Sequence, residues 1–259
     1  MLSLTGLFAG CAFYRVGGSG LETVSMVAEV AQGWEQRLYP NSLRESIELG
    51  RTSEEFLRGD PEMLWLVSRE LNALAYGHAP DDSEELYSLA YEIGFRCLAG
   101  NAGWLGRLDN SGGAVTVAGV ERLTEADVPC MEQLVFSWVR LIEHRGFYSY
   151  IDIPEVAFLV DRLLEISPDR WVGYWGKGMI AGFQADPLSE VEIYMDLAYE
   201  QEPTLATSTA DYLRISGGYP QSDLIVTPAE KFREREFLVN EGQEWSLENQ
   251  RAVRTLFEP

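Results

Sequence analysis

The chain has 259 residues, 46 % of them hydrophobic, which is enough for one or two domains with a substantial core. Asp and Glu outnumber Lys and Arg by 41 to 20, a formal net charge of −21, and this argues strongly against a nucleic-acid backbone or an anionic membrane surface as the main partner. Two histidines far apart, His78 and His144, and three cysteines without zinc or redox spacing leave little for metal chemistry, so no metal or other cofactor is expected.

In chain order, the first feature is the apolar run LTGLFAGC, ending at Cys11. Small residues Ala9 and Gly10 ahead of the cysteine resemble a bacterial lipoprotein signal over residues 1–10, with Cys11 as the lipidated N-terminus and residues 11–22, which include GGSG, as a tether. Phe8 stands where Leu is usual and no positive n-region precedes the run. The alternative is an apolar first strand or helix. Ala12 after the cysteine favours the outer membrane, so the expected location is the periplasm, with membrane contact only through the lipid anchor.

Residues 23–259 read as one helical domain. From Val24 to Leu38 apolar residues recur at three and four, the spacing of one helical face. NSLRESIELGRTSEEFLRGDP predicts a helix that stops before Pro61, and PEMLWLVSRELNALAYGHA follows with Leu64, Val67, Leu71, Leu74 and Ala75 in step. DDSEELYSLAYEIGFRCLAGN opens on Asp and Ser and stops at Gly-Asn. Strand-like alternation is confined mainly to AVTVAGV and LIVTP, so the class is all-α. Cys97 and Cys130 lie in apolar helical contexts, where buried free thiols are ordinary; with Cys11 consumed otherwise, the two could instead pair in an oxidising compartment.

A repeat occupies the second half. DIPEVAFLVDRLLEISPD and PLSEVEIYMDLAYEQEPT align with Glu155/Glu190, Val156/Val191, Asp161/Asp196 and Pro168/Pro203 in step, an offset of 35 residues. Tetratricopeptide repeats of about 34 residues, two antiparallel helices ending in proline, have this form. Tyr174 precedes Gly178 by four, as a large residue precedes the small one where the helices of a repeat cross. The expected architecture is a superhelical array of tetratricopeptide-like antiparallel hairpins.

The order of the blocks LRGDPEMLWLVSRELNALAYGHA, LYSLAYEIGFRCL, DVPCMEQLVFSWVRLIEHRGFYSYIDIPEVAFLVDRLLEISPDRWVGYWGKGM and ENQRAVRTLFE resembles the T component of tripartite ATP-independent periplasmic (TRAP) transporters. Asp127, Val128 and Pro129 open an aromatic-bearing helix as in that family, and Ile153-Pro154 stands where the family has Leu-Pro; QADPLSEV replaces its Gly-Gly-x-Pro-x-x-Ala loop. The resemblance implies a lipoprotein of helical hairpins that associates with the periplasmic solute-binding subunit, with trimers among its forms. The alternative is a generic tetratricopeptide scaffold lipoprotein for protein–protein interaction in the envelope.

The first helix of each pair lines the concave face of such an array. Val172, Trp175, Met179 and Phe183 therefore make a candidate surface for the partner or for a small apolar or organic-acid ligand, and Trp138 is a further candidate. The same residues could pack on the neighbouring hairpin. Lys177 could meet a ligand carboxylate or an internal one. His78 and His144 follow no nucleophile or acid at recognisable spacing, and each suits a helix end, so no enzyme activity is expected.

Overall fold

Proline, glycine and short polar caps cut this chain into helices. The computed structural model describes residues 26–79, 81–203 and 207–216. The expected signal, Cys11 and its tether, LIVTP, and ENQRAVRTLFE lie outside the described residues.

Helix α1 spans Met26–Glu35. Pro40 then starts α2, Pro40–Thr52, where its missing N–H costs nothing. The single helix expected up to Pro61 is two. Ser53 leaves helical geometry, and its hydroxyl accepts from Phe56 N at 3.1 Å, so α3, Glu54–Arg58, begins afresh. Gly59, at φ +82°, closes α3 in the left-handed region, and the Asp60 carboxylate caps α4, Pro61–Gly77. Helix α5 spans Ser83–Leu98.

Asn101 does more than stop a helix. Its side chain accepts from Gly103 N and Trp104 N and opens α6, Ala102–Asn110. AVTVAGV is not a strand: Thr116 accepts from Gly119 N and starts the short helix α7, Val117–Val120. Alternation over a few residues gives way here because the capped turn satisfies its own backbone, and no strand is present among the described residues to pair with it.

After a 3-10 turn at 125–127, α8 runs Val128–Arg145. GFYSYID forms a second 3-10 turn, and α9, Ile153–Ile166, α10, Trp171–Phe183, α11, Leu188–Gln201, and α12, Thr207–Ser216, complete the described chain. Every regular element described is helical, so the all-α expectation holds. Among the described residues no helix is long and apolar enough to cross a membrane.

The contacts fix directions. Helices α5 and α8 are antiparallel, because the Cys97–Cys130 disulfide joins one pair of ends while Ser83 and His144 meet at 3.2 Å at the other. Between them Gly94 faces Leu134 so closely that a Cβ would lie 3.2 Å from its Cα. Helices α9 and α10 are antiparallel too, with Gly173 against Leu164 and Gly176 against Val160. Asn72 reaches Gln133 and Tyr76 reaches Phe136, which sets α4 parallel to α8. Trp175 pairs with Asp211 and Gly182 packs on Ile215, which sets α10 parallel to α12.

Two residue pairs that the sequence sets 35 apart occupy like places. Val156 and Val191 are both fully buried in α9 and α11, and Glu155 and Glu190 both sit in first turns. Gly178 lies against Met195, so the small residue after Tyr174 is what lets α10 and α11 close up. One apolar core runs from Val30 in α1 to Tyr212 in α12.

Candidate functional site

A cavity of about 380 Å³ opens between α1, α4, α8 and the segment leading into α10, and the α11 and α12 termini also reach it. Helix α4 supplies Trp65, Arg69, Asn72 and Tyr76, spaced four, three and four, so one helical stripe forms a wall. Helix α8 supplies Glu132, Gln133 and Phe136 by the same rule, and Trp34, Trp171 and Val172 close the sides.

The wall is held in place from behind. The Arg69 guanidinium lies over the rings of Trp34, at 4.0 Å, and Trp65, at 4.6 Å, and fixes both indoles. Phe136 meets Trp171 edge-on at 6.2 Å and stacks on Trp175 at 4.8 Å. Behind Tyr76 and Phe136 sits Arg140, 4 % exposed, which forms a two-pronged pair with Asp211 at 3.1 and 2.8 Å and also binds Glu143 at 2.9 Å. Burial pushes the Asp211 carboxyl up, but Arg140, Arg214 and the Trp175 N–H together hold it below its ordinary value. Burial alone would lower Arg140, yet Asp211 and Glu143 keep it charged.

The polar lining is distinctive in two places. Asn72 Nδ2 donates to the Gln133 carbonyl at 3.2 Å and to Gln133 Oε1 at 3.1 Å. Since a backbone carbonyl can only accept, the amide orientation is set, and Asn72 Oδ1 has no partner among the described residues. Thr207 Oγ1 is likewise buried without one. Nearer the surface, Arg170 Nε lies 3.7 Å from Glu132 Oε1. Burial raises Glu132 to about 7, with Arg170 opposing the shift and Asp169 adding to it.

Of the residues expected from the sequence, Val172 lies on this wall. Trp175 is fully buried, with its indole N–H donating to Asp211 Oδ2 at 2.8 Å. Met179 is fully buried, and Trp138 packs edge-on against Tyr91 at 5.2 Å between α5 and α8. Phe183 is half-buried and stacks on Tyr150 at 6.1 Å. Lys177 makes an ion pair with Asp161 on the α9–α10 face, which is the internal alternative. Cys11 lies outside the described residues. Sequence reasoning missed Trp34, Trp65, Arg69, Asn72, Glu132 and Arg170; the stripe of wide aromatic and polar residues on α4 was the available signal.

The histidines lie elsewhere. His78 Nε2 is 2.9 Å from the Arg37 carbonyl, and His144 meets the hydroxyl of Ser83, which is 2 % exposed. Neither histidine lines the cavity. The Ser83–His144 contact ties the start of α5 to the end of α8 beside the Arg145–Glu84 ion pair. Compared with known proteins, the sequence matches no family model and no curated protein.

Proposed function

We infer that the chain is a non-catalytic periplasmic adaptor, anchored through lipidated Cys11, that serves a TRAP-type transporter by docking on its solute-binding subunit and holding a small organic ligand. In this reading the hairpins stack as a tetratricopeptide-like superhelix, and the cavity belongs to its inner face. The observation that carries it is the cavity itself: a volume of about 380 Å³, aromatic on its sides, with Asn72, Glu132 and Arg170 among its lining residues. The register of α9 and α11 and the order of the sequence blocks support the architecture. The Cys97–Cys130 disulfide supports an oxidising compartment.

The test is affinity purification of the tagged chain from detergent-solubilised envelopes, followed by detection of the TRAP solute-binding subunit of the same cell. The subunit should co-purify in stoichiometric amount. Cys11→Ala should shift the chain to the soluble fraction while still capturing the subunit in solution. A wild-type chain that brings down no solute-binding subunit under conditions that preserve its fold overturns the transporter assignment.

A further inference from the structure

One acid in the cavity lacks the counter-charge that its burial calls for. Glu132, on α8, lines the cavity with a side chain only 15 % exposed. Its one described ion pair is to Arg170, whose Nε stands 3.7 Å from Oε1, beyond a hydrogen bond, on a side chain 49 % exposed. A guanidinium half in water offsets little of the cost of a desolvated carboxylate. Burial accordingly pushes the Glu132 carboxyl up to about 7, with Arg170 opposing the shift and Asp169 adding to it. The other charged or titratable groups around this space are Arg69 and Tyr76 from α4 and Glu202 after α11. Three carboxylates and two guanidiniums thus line the cavity, in a chain of net charge −21 whose field draws cations toward such a cleft.

The walls suit an organic cation. The fold already sets one against them, the Arg69 guanidinium over Trp34 and Trp65, so that charge is committed to indole rings. Tyr76, Phe136 and Trp171 supply further ring surface to the same space. A hydrated metal ion gains little from rings, and among the described residues no group of His, Cys, Asp and Glu could hold one. An alkylated ammonium carries its charge on an apolar shell, so it can meet aromatic faces and a carboxylate together. The volume takes about a dozen water-sized groups at ~30 Å³ each, enough for an ammonium with short substituents.

We propose that the cavity binds a small alkylated ammonium ion, its cationic head against Glu132 and its alkyl groups on the surrounding rings. This ligand class rests on the reading of the cavity as a binding site and is independent of which subunit the chain docks on.

Calorimetric titration of the full chain at pH 8 with three probes of similar shape tests it: choline, 3,3-dimethylbutan-1-ol, in which carbon replaces the charged nitrogen, and 3,3-dimethylbutyrate, which carries the opposite charge. Choline should bind about tenfold or more tightly than either of the others, the scale of a desolvated cation on aromatic rings. At pH 6 the Glu132 carboxyl keeps its proton in most molecules, and choline should bind about tenfold more weakly than at pH 8. Glu132→Gln removes the charge and keeps the shape. It should bind choline at pH 8 as weakly as the parent does at pH 6, with no change between the two. Equal affinities for the three probes, a preference for the neutral or anionic one, no heat from choline, or a parent affinity that ignores pH overturns the proposal. The probe series on the unaltered chain decides the matter even if Glu132→Gln does not fold. Failure here with successful subunit capture removes the ligand class alone; binding here with failed capture removes the transporter role alone.

Discussion

Glu70 shows how a single side chain can set the pH response of the fold. It is fully buried in α4, with the Ser46 hydroxyl 3.0 Å from Oε1 and no described partner at Oε2. Burial pushes its carboxyl up to about 8, and the Ser46 hydrogen bond and Arg69 only partly oppose this. In the unfolded chain the same carboxyl ionises near 4.5. Between these two values the folded state holds a proton that the unfolded state has lost, so the contribution of Glu70 to stability is greatest below about pH 4.5 and declines as pH rises toward 8. Each unit of separation is worth at most about 1.4 kcal/mol. Glu70→Gln removes the titration and keeps the shape. Thermal unfolding at pH 5 and pH 8 should show a smaller loss of Tm for the variant than for the parent, with the variant the more stable at pH 8. Other acids contribute equally to both proteins, so parallel pH profiles would remove Glu70 as the cause.

At the scale of elements, the α5–α8 pair organises the middle of the fold. Gly94 lets the helices touch, Ser83 and His144 close one end, and the disulfide closes the other. That bond also spans the 33-residue separation that carries α6 and α7, and Asn101 pins the same insertion by donating to the Arg122 carbonyl at 3.0 Å and to Asp127 at 2.9 Å. Cross-linking a loop of this length stabilises by about 3–4 kcal/mol on the chain-entropy account. Cys97→Ser/Cys130→Ser should therefore lower Tm by about 10 °C, and reductant should do the same to the parent while leaving the variant unmoved. Thiol titration in denaturant without reductant should find at most Cys11 reactive. Three reactive thiols, or a variant as stable as the parent, would remove the bond from the account. The elements themselves were legible where helical periodicity, a cap or the sequence repeat met a strong stop, as in α4, α5 and α9 to α11. The misreadings fell on short segments: Ser53 split one expected helix, and a Thr116 cap turned AVTVAGV into a helical turn, because a single capping hydroxyl outweighs four or five residues of pattern.

For the whole molecule, the α-helical class could be read from the sequence, while the cavity could not. Periodicity reports which face of a helix is apolar, and Trp175 and Met179 satisfy that criterion by packing in the core. The cavity instead gathers Trp34, Trp65, Asn72, Glu132 and Arg170 from separate helices, and only the parallel placement of α4 and α8 brings the two stripes to one space. Charge acts at the same scale. A net −21 leaves many acids unpaired whatever ion pairs form, and at 10 mM salt, with a screening length of about 30 Å, these acids repel one another across much of the molecule. Raising NaCl to 200 mM shortens that length to below about 10 Å. It also weakens exposed pairs such as Arg58–Glu54 and Arg145–Glu84, but these are worth only about 0–1 kcal/mol each. The buried Arg140–Asp211 pair, 4 % exposed on each side, is little screened. Repulsion relieved thus exceeds attraction lost, and Tm at pH 7 should rise by several degrees between the two salt concentrations. A Tm that falls with added NaCl would mean that attractive pairs, rather than the excess of acids, dominate the surface.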